Sequence, residues 1–271
     1  MRRLTSVMAA TMVAVPLTAA VVGPIIAGYA PATPQAPFGP STWSPFGTDR
    51  LGRDVLAAAL SGGRPLVVTA VLTVAAAYAV GFSIGMAAAA TRRSWIEDLI
   101  MRPVDVLLCL PGLLIVMVAA LRSDGSGVAI AAAVGFILVA PIARFVRMAA
   151  RGVVHSPVME ALQMQGAGPH ERYAGYALRH LARPVAGDLG VRFVAAVYVL
   201  ASANFLGIGF DTTSADWAVS VAANKDGLST APWSVYLPAA LVVSLILGLN
   251  LWCDAILSDP TRKALRRMPH G

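Results

Sequence analysis

Long stretches without a single charged side chain decide what this sequence can become. Residues 4–48 carry no Asp, Glu, Lys or Arg, and five further uncharged runs follow at 65–91, 106–121, 125–143, 193–210 and 227–253. Crossing the hydrocarbon core of a bilayer takes roughly 20 apolar residues, and five of the six runs supply nearly that or more. A water-soluble fold of 271 residues needs a polar coat, yet only 13% of this chain is charged and 57% is hydrophobic. Soluble domains carry about 25% charge. The mean hydropathy of +0.70 points the same way. An ordinary soluble enzyme and a disordered chain are excluded, and the expectation is an all-α integral membrane protein with six transmembrane helices.

Prolines 31, 34, 37, 40 and 45 turn the second half of the first run into a loop. The segmentation is then a first transmembrane helix at 1–30, an outer loop at 31–64, a five-helix core at 65–260 and a basic tail at 261–271. The 106–121 run is short, and the sequence predicts that its helix reaches back past Arg102 and Asp105, whose charged heads meet the interface or each other. A cleaved signal peptide fits less well, because its apolar region spans 7–15 residues whereas this stretch runs from 4 to 30.

Orientation follows from the loops. With the N-terminus inside, 16 of the 21 Lys and Arg fall in inner segments and 5 outside, the bias of cytoplasmic loops. Both termini are expected in the cytoplasm. That asymmetry also accounts for the net charge of +7 without nucleic acid, for which no binding motif is present. Cys109 and Cys253 lie in apolar runs with no CxxC, and read as small buried hydrophobes. His155, His170, His180 and His270 have no metal-ligand spacing.

The largest polar piece is an inner connection at 144–188, too small to bury a core of its own. Good helix formers occupy 158–165, Gly166-Ala167-Gly168-Pro169 stops that helix, and a second helix is predicted at 170–181. This reads either as a solvated amphipathic loop or as a docking peg for a cytoplasmic partner. Asp188 and Arg192, four apart, are expected to pair, and Asn204 and Asn250 to bond between helices.

Glu160-Ala161-Leu162 with Gly166 six residues after the glutamate resembles the EAA loop of ABC-importer permeases. Pro45-Phe46-Gly47-Thr48-Asp49-Arg50-Leu51-Gly52-Arg53-Asp54 resembles the F-G-T-D-x-L-G-R-D segment that follows the first span of peptide and nickel permeases. Met101-Arg102-Pro103-Val104-Asp105 with Pro111-Gly112-Leu113-Leu114 is similar to that subfamily's third-span entry. Asn204-Phe205-Leu206-Gly207-Ile208-Gly209, Asp216-Trp217, Ala231-Pro232-Trp233, Asn250-Leu251, Asp254 and Ser258-Asp259-Pro260 follow in the same order. The chain therefore resembles the second, C-type permease of dipeptide, oligopeptide or nickel importers. It departs at Leu162, where the family has alanine, at Pro184, shifted by one, and at 211–216, which lacks the usual prolines.

The resemblance implies a permease subunit in the bacterial inner membrane that forms half of a translocation pathway, with peptide favoured over nickel as cargo. It implies a sister permease, two ABC ATPase subunits and an extracytoplasmic substrate-binding protein as partners. ATP and magnesium belong to the ATPases, and no cofactor or catalytic residue is expected here. The absence of a G-x-x-x-x-G-K-[ST] phosphate loop agrees. Glu160, Ala161, Leu162 and Gly166 would couple to an ATPase. Gly166 is expected at a chain reversal with positive φ and little room for a side chain. Asp49, Arg50, Arg53 and Asp54 either form salt bridges on a short helix or meet the binding protein. A secondary transporter would place acidic residues at mid-span, and a membrane enzyme would cluster His, Asp or Ser at one depth. Neither pattern is found.

Overall fold

The computed structural model describes the backbone of residues 2–30, 33–208 and 216–265, and the side chains of 7–30, 33–208 and 216–252. Gly209, most of 211–216, the side chains of Cys253, Asp254 and 258–260, and the end of the basic tail lie outside those residues. Nine α-helices are described: α1 (Arg2–Ala27), α2 (Val55–Ala90), α3 (Ser94–Cys109), α4 (Gly112–Arg122), α5 (Gly127–Val154), α6 (Pro157–Met164), α7 (Leu178–Phe205), α8 (Trp217–Asn224) and α9 (Trp233–Leu265). A π-helical segment, Glu171–Ala177, runs directly into α7. Among the described residues there is no strand, only an isolated antiparallel bridge between Thr48 and Asp54.

Five helices are long and apolar enough to cross a membrane, or six where the bent pair α3–α4 counts as one span. The number of spans agrees with the uncharged runs, but their ends do not. α2 starts at Val55 rather than 65, because Asp54 caps it through a bond from Ala57 N–H (3.0 Å) and Arg64 stays exposed on its surface. α5 and α9 likewise run past the charge-free windows. The predicted helix at 170–181 is the lower part of the α7 span, not a separate element. The third span is no extended single helix: α3 and α4 meet at 83°. Its Asp105 faces Arg144 of α5 (3.2 Å), not Arg102.

α2 and α5 form the centre of the bundle. Gly81 and Gly85 let them touch: a Cβ at Gly81 would stand 2.8 Å from Ile142 Cγ2, and one at Gly85 would stand 2.5 Å from the Ala143 carbonyl oxygen. Small residues at a four-residue spacing allow close backbone approach, which drives helix association where water does not. Around this contact, Leu66, Val74, Val134, Ile142, Val197 and Leu200 make one buried core. α1 lies against α2 and α9, with Ser244 Oγ donating to the Met12 carbonyl (2.9 Å). Many apolar side chains remain outside, among them Leu72, Val80, Leu99, Val118 and Phe136, as expected where lipid or other spans replace water.

Candidate functional site

The two ends of the bundle carry the sequence-predicted site residues. α6 stands at one end, between α5 and the span that ends as α7. Ser156 opens α6 as its N-cap, with its Oγ accepting from Met159 N–H (3.3 Å), and Pro157 fills the first helical position. Glu160 follows in the first turn, beside the positive end of the helix dipole. At the other end Ala167 N–H reaches the Leu162 carbonyl (3.0 Å) and Gly166 N–H reaches that of Gln163 (3.1 Å). These two bonds close a Schellman motif, which requires a left-handed residue at Gly166; its φ is +78°. The positive φ matches the sequence reading. The expected lack of room does not: a Cβ there would meet nothing within 4 Å. Strain, not crowding, selects glycine.

Met159 alone in α6 is buried. Glu160 and Ala161 are exposed and Leu162 is half-buried. Val158 (50% exposed) and Met164 (83%) add apolar surface that the sequence reading treated only as helix formers. An apolar side chain on a short helix outside the spans is the signal that would have marked them.

Behind α6 the chain is firmly tied. Arg147 and Arg151 of α5 both donate to Glu97 Oε1 of α3, at 2.6 Å from Arg147 Nε and 3.1 Å from an Arg151 terminal nitrogen. His155, the C-cap of α5, lies 3.1 Å from the Ala89 carbonyl of α2 through Nε2. A cleft of about 360 Å³ opens here, lined by residues that include Arg92, Glu97, Arg151, His155 and Glu160.

The opposite end holds the 33–54 loop and α8. The predicted short helix around Asp49 is instead a turn closed by the Thr48–Asp54 bridge. Asp49 is buried and accepts from the N–H groups of Leu51 (2.8 Å) and Arg53 (2.9 Å), while the Arg53 guanidinium pairs with it at 2.7 Å. Asp54, also buried, accepts from the Ser41 hydroxyl and from that of Ser44 (2.7 Å) while capping α2. Arg50 alone of the four is exposed, and its N–H donates to Asn224 Oδ1 (2.9 Å). The two carboxylates thus organise the loop from inside, and only the arginines reach its surface.

α8 was not anticipated, although an Asp before an apolar run is an N-cap signal. Asp216 Oδ1 accepts from Ala218 N–H (2.9 Å) and Asn204 Nδ2 (3.2 Å). Burial pushes its carboxyl up to about 6, against the pull of those bonds. Trp217 is fully buried, with its Nε1–H donating to the Ala59 carbonyl (2.6 Å). Asn204 therefore bonds across elements as expected. Asn250 does not: it is exposed and donates to Ile246 O of its own helix (3.0 Å). Cys109 is exposed rather than buried. Asp188 and Arg192 do pair (2.8 Å), and Tyr78 of α2 adds its hydroxyl to the same carboxylate.

Residues 81–258 match the family described as binding-protein-dependent transport system inner membrane component. Relatives include a dipeptide transport system permease protein of Alkalihalophilus pseudofirmus, 27% identical over 83% of this chain and 75% of its own length. A di/tripeptide transport system permease protein of Pseudomonas aeruginosa is 26% identical over 78% of this chain and 69% of its own. A glutathione transport system permease protein of Pectobacterium atrosepticum is 26% identical over 83% and 75%. The spans, the capped helix between them and the family match over most of the chain converge: the chain belongs to the binding-protein-dependent transport system inner membrane components, the permease subunits of ABC importers.

Proposed function

We propose that this subunit forms half of a peptide pathway and pairs with a sister permease, two ATPases and an extracytoplasmic binding protein. The peptide cargo is supported by the names of its relatives, which include dipeptide, di/tripeptide and glutathione permeases. ATP and magnesium are held by the ATPases. The α6 end lies in the cytoplasm with both termini, consistent with the basic residues gathered there. The 33–54 loop and α8 face outward, where they meet the binding protein.

One observation carries the coupling role: α6 is capped at both ends yet exposed on nearly all its surface. A helix this short does not hold itself in water; its two caps and the buried Met159 side chain keep it formed while most of its surface stays open. Its shape suits insertion into a groove on an ATPase. Nucleotide-driven closure of the ATPases then moves it as a rigid body, so Glu160, Ala161, Leu162 and Gly166 transmit displacement and perform no chemistry.

Two measurements test this reading. In the reconstituted transporter, Glu160→Lys and Gly166→Val are expected to keep normal membrane abundance while peptide uptake and peptide-stimulated ATP hydrolysis fall together. Wild-type values for both would remove the coupling role. For orientation, Cys109 and Cys253 are replaced by alanine and single cysteines introduced at exposed Lys225 and Gln163. The first should label from outside intact cells and the second only after permeabilisation; the reverse pattern would invert the topology.

A further inference from the structure

We infer that Glu97 is a positioning residue for transport: it clasps α3 to α5, so that displacement of α6 enters the bent third span. This rests on the proposed coupling role of α6.

The chemistry is in the geometry. Glu97 is 8% exposed, and one of its oxygens, Oε1, receives N–H groups from both Arg147 and Arg151. Charge-assisted bonds of this kind are short and directional. The two arginines stand one helical turn apart on α5, only a few residues before the Ser156 cap of α6. Arg144 continues the same face toward Asp105 of α3, at 3.2 Å and as an ion pair without hydrogen-bond direction. Between these contacts Met101 and Val104 of α3 pack on Ala140 and Ala143 of α5. α3 is thereby fixed along its length to the helix that carries α6. No ion pair holds α4 among the described residues. The 83° bend is then the place where a driven half-span meets a half-span held by packing alone.

Glu97 has a function beyond tethering only if the shared motion matters for transport, and that can be measured. In proteoliposomes holding the complete transporter and its peptide-loaded binding protein, Glu97→Gln keeps the side chain's size and removes the charge. Peptide-stimulated ATP hydrolysis is expected within about twofold of wild type, because α6 is unaltered. Peptide delivered per ATP is expected to fall about tenfold, the scale of one lost charge-assisted contact. Glu97→Asp should recover part of the loss, and the exchange Glu97→Arg with Arg147→Glu more than either single change. Unchanged peptide per ATP in Glu97→Gln overturns the inference, as does a parallel fall of hydrolysis and uptake, which would make Glu97 part of docking or folding.

A second measurement separates this inference from the α6 reading. Spin labels at exposed Asp98 and Gln163 should keep one separation with and without ATP in the wild type, and a broadened one in Glu97→Gln. A wild-type separation that shifts with nucleotide means that α3 does not travel with α6, and the inference falls even if Glu160→Lys uncouples transport as expected.

Discussion

The two ends of this bundle handle polar residues in opposite ways. At the loop end, Asp49, Asp54, Asp216 and Asn224 are buried, and each is bonded to backbone N–H groups or side-chain donors. At the α6 end, Glu160, Gln163 and Gln165 point to solvent beside exposed Val158 and Met164. Buried carboxylates are tolerated where donors meet them, and Asp49 and Asp54 tie the 33–54 loop together from inside. α6 itself keeps most of its bonding capacity and apolar surface unspent, although Glu97 is buried and paired just behind it. The 33–54 loop is closed on itself, whereas α6 leaves most of its surface open.

The contrast predicts a crossed result. Trp217→Ala should lower stability by about 3–5 kcal/mol, the usual cost of emptying a large aromatic site, read as a fall in thermal midpoint of the purified protein. Met164→Asp should leave that midpoint within the change of about 0.5 kcal/mol typical of surface positions, yet weaken copurification of the ATPases. If Met164→Asp destabilises as strongly as Trp217→Ala, α6 is part of the fold and the distinction between the ends fails.

A smaller effect sharpens the loop end. Asp54→Ala removes the cap of α2 and strands the Ser41 and Ser44 hydroxyls, with an expected loss of about 1–2 kcal/mol. Glu160→Ala at the other end should cost no more than the roughly 0.3–1 kcal/mol of a helix-dipole charge. Equal losses would count against the contrast.

A separate effect is in pH. Asp216 has its carboxyl raised from 3.8 to about 6 by burial, so the folded chain binds its proton more tightly than the unfolded one. Its contribution is fully present below pH 3.8 and is lost as pH rises through about 6. The thermal midpoint should therefore decline across this window, and Asp216→Asn, which still caps a helix, should remove that component. An unchanged slope in Asp216→Asn would place the titrating group elsewhere.

What the sequence revealed divides along similar physical lines. The spans were legible because hydrocarbon excludes charge over some twenty residues, a signal that survives any tertiary arrangement. Their ends were not, because a helix does not stop where charge begins: Arg64 lies within α2 and Arg144, Arg147 and Arg151 within α5. The turn after α6 was legible because a left-handed glycine is local chemistry, whereas the Ser156 cap went unread. The Asp188–Arg192 pair was legible for the same reason, being one turn apart. Glu97 with Arg147 and Arg151, and Tyr78 with Asp188, were not, since only packing brings residues 50 to 110 positions apart together. The bend after Leu110 had its Pro111-Gly112 signal, which served only as a mark of resemblance.

That bend also carries a consequence for what may surround the chain. Where α3 stops and α4 begins, the last carbonyls of one helix and the first N–H groups of the other lack partners within their helices. Leu110 N–H turns back to the Leu107 carbonyl (3.3 Å), and Pro111 has no N–H to give. Leu110, Pro111, Leu113 and Leu114 are all exposed on the isolated chain. Bare backbone polarity at membrane depth costs several kcal/mol per group against acyl chains and persists only beside protein or water. At hydrocarbon depth, the side of the molecule at 108–114 would have to face another polypeptide or an aqueous passage rather than acyl chains.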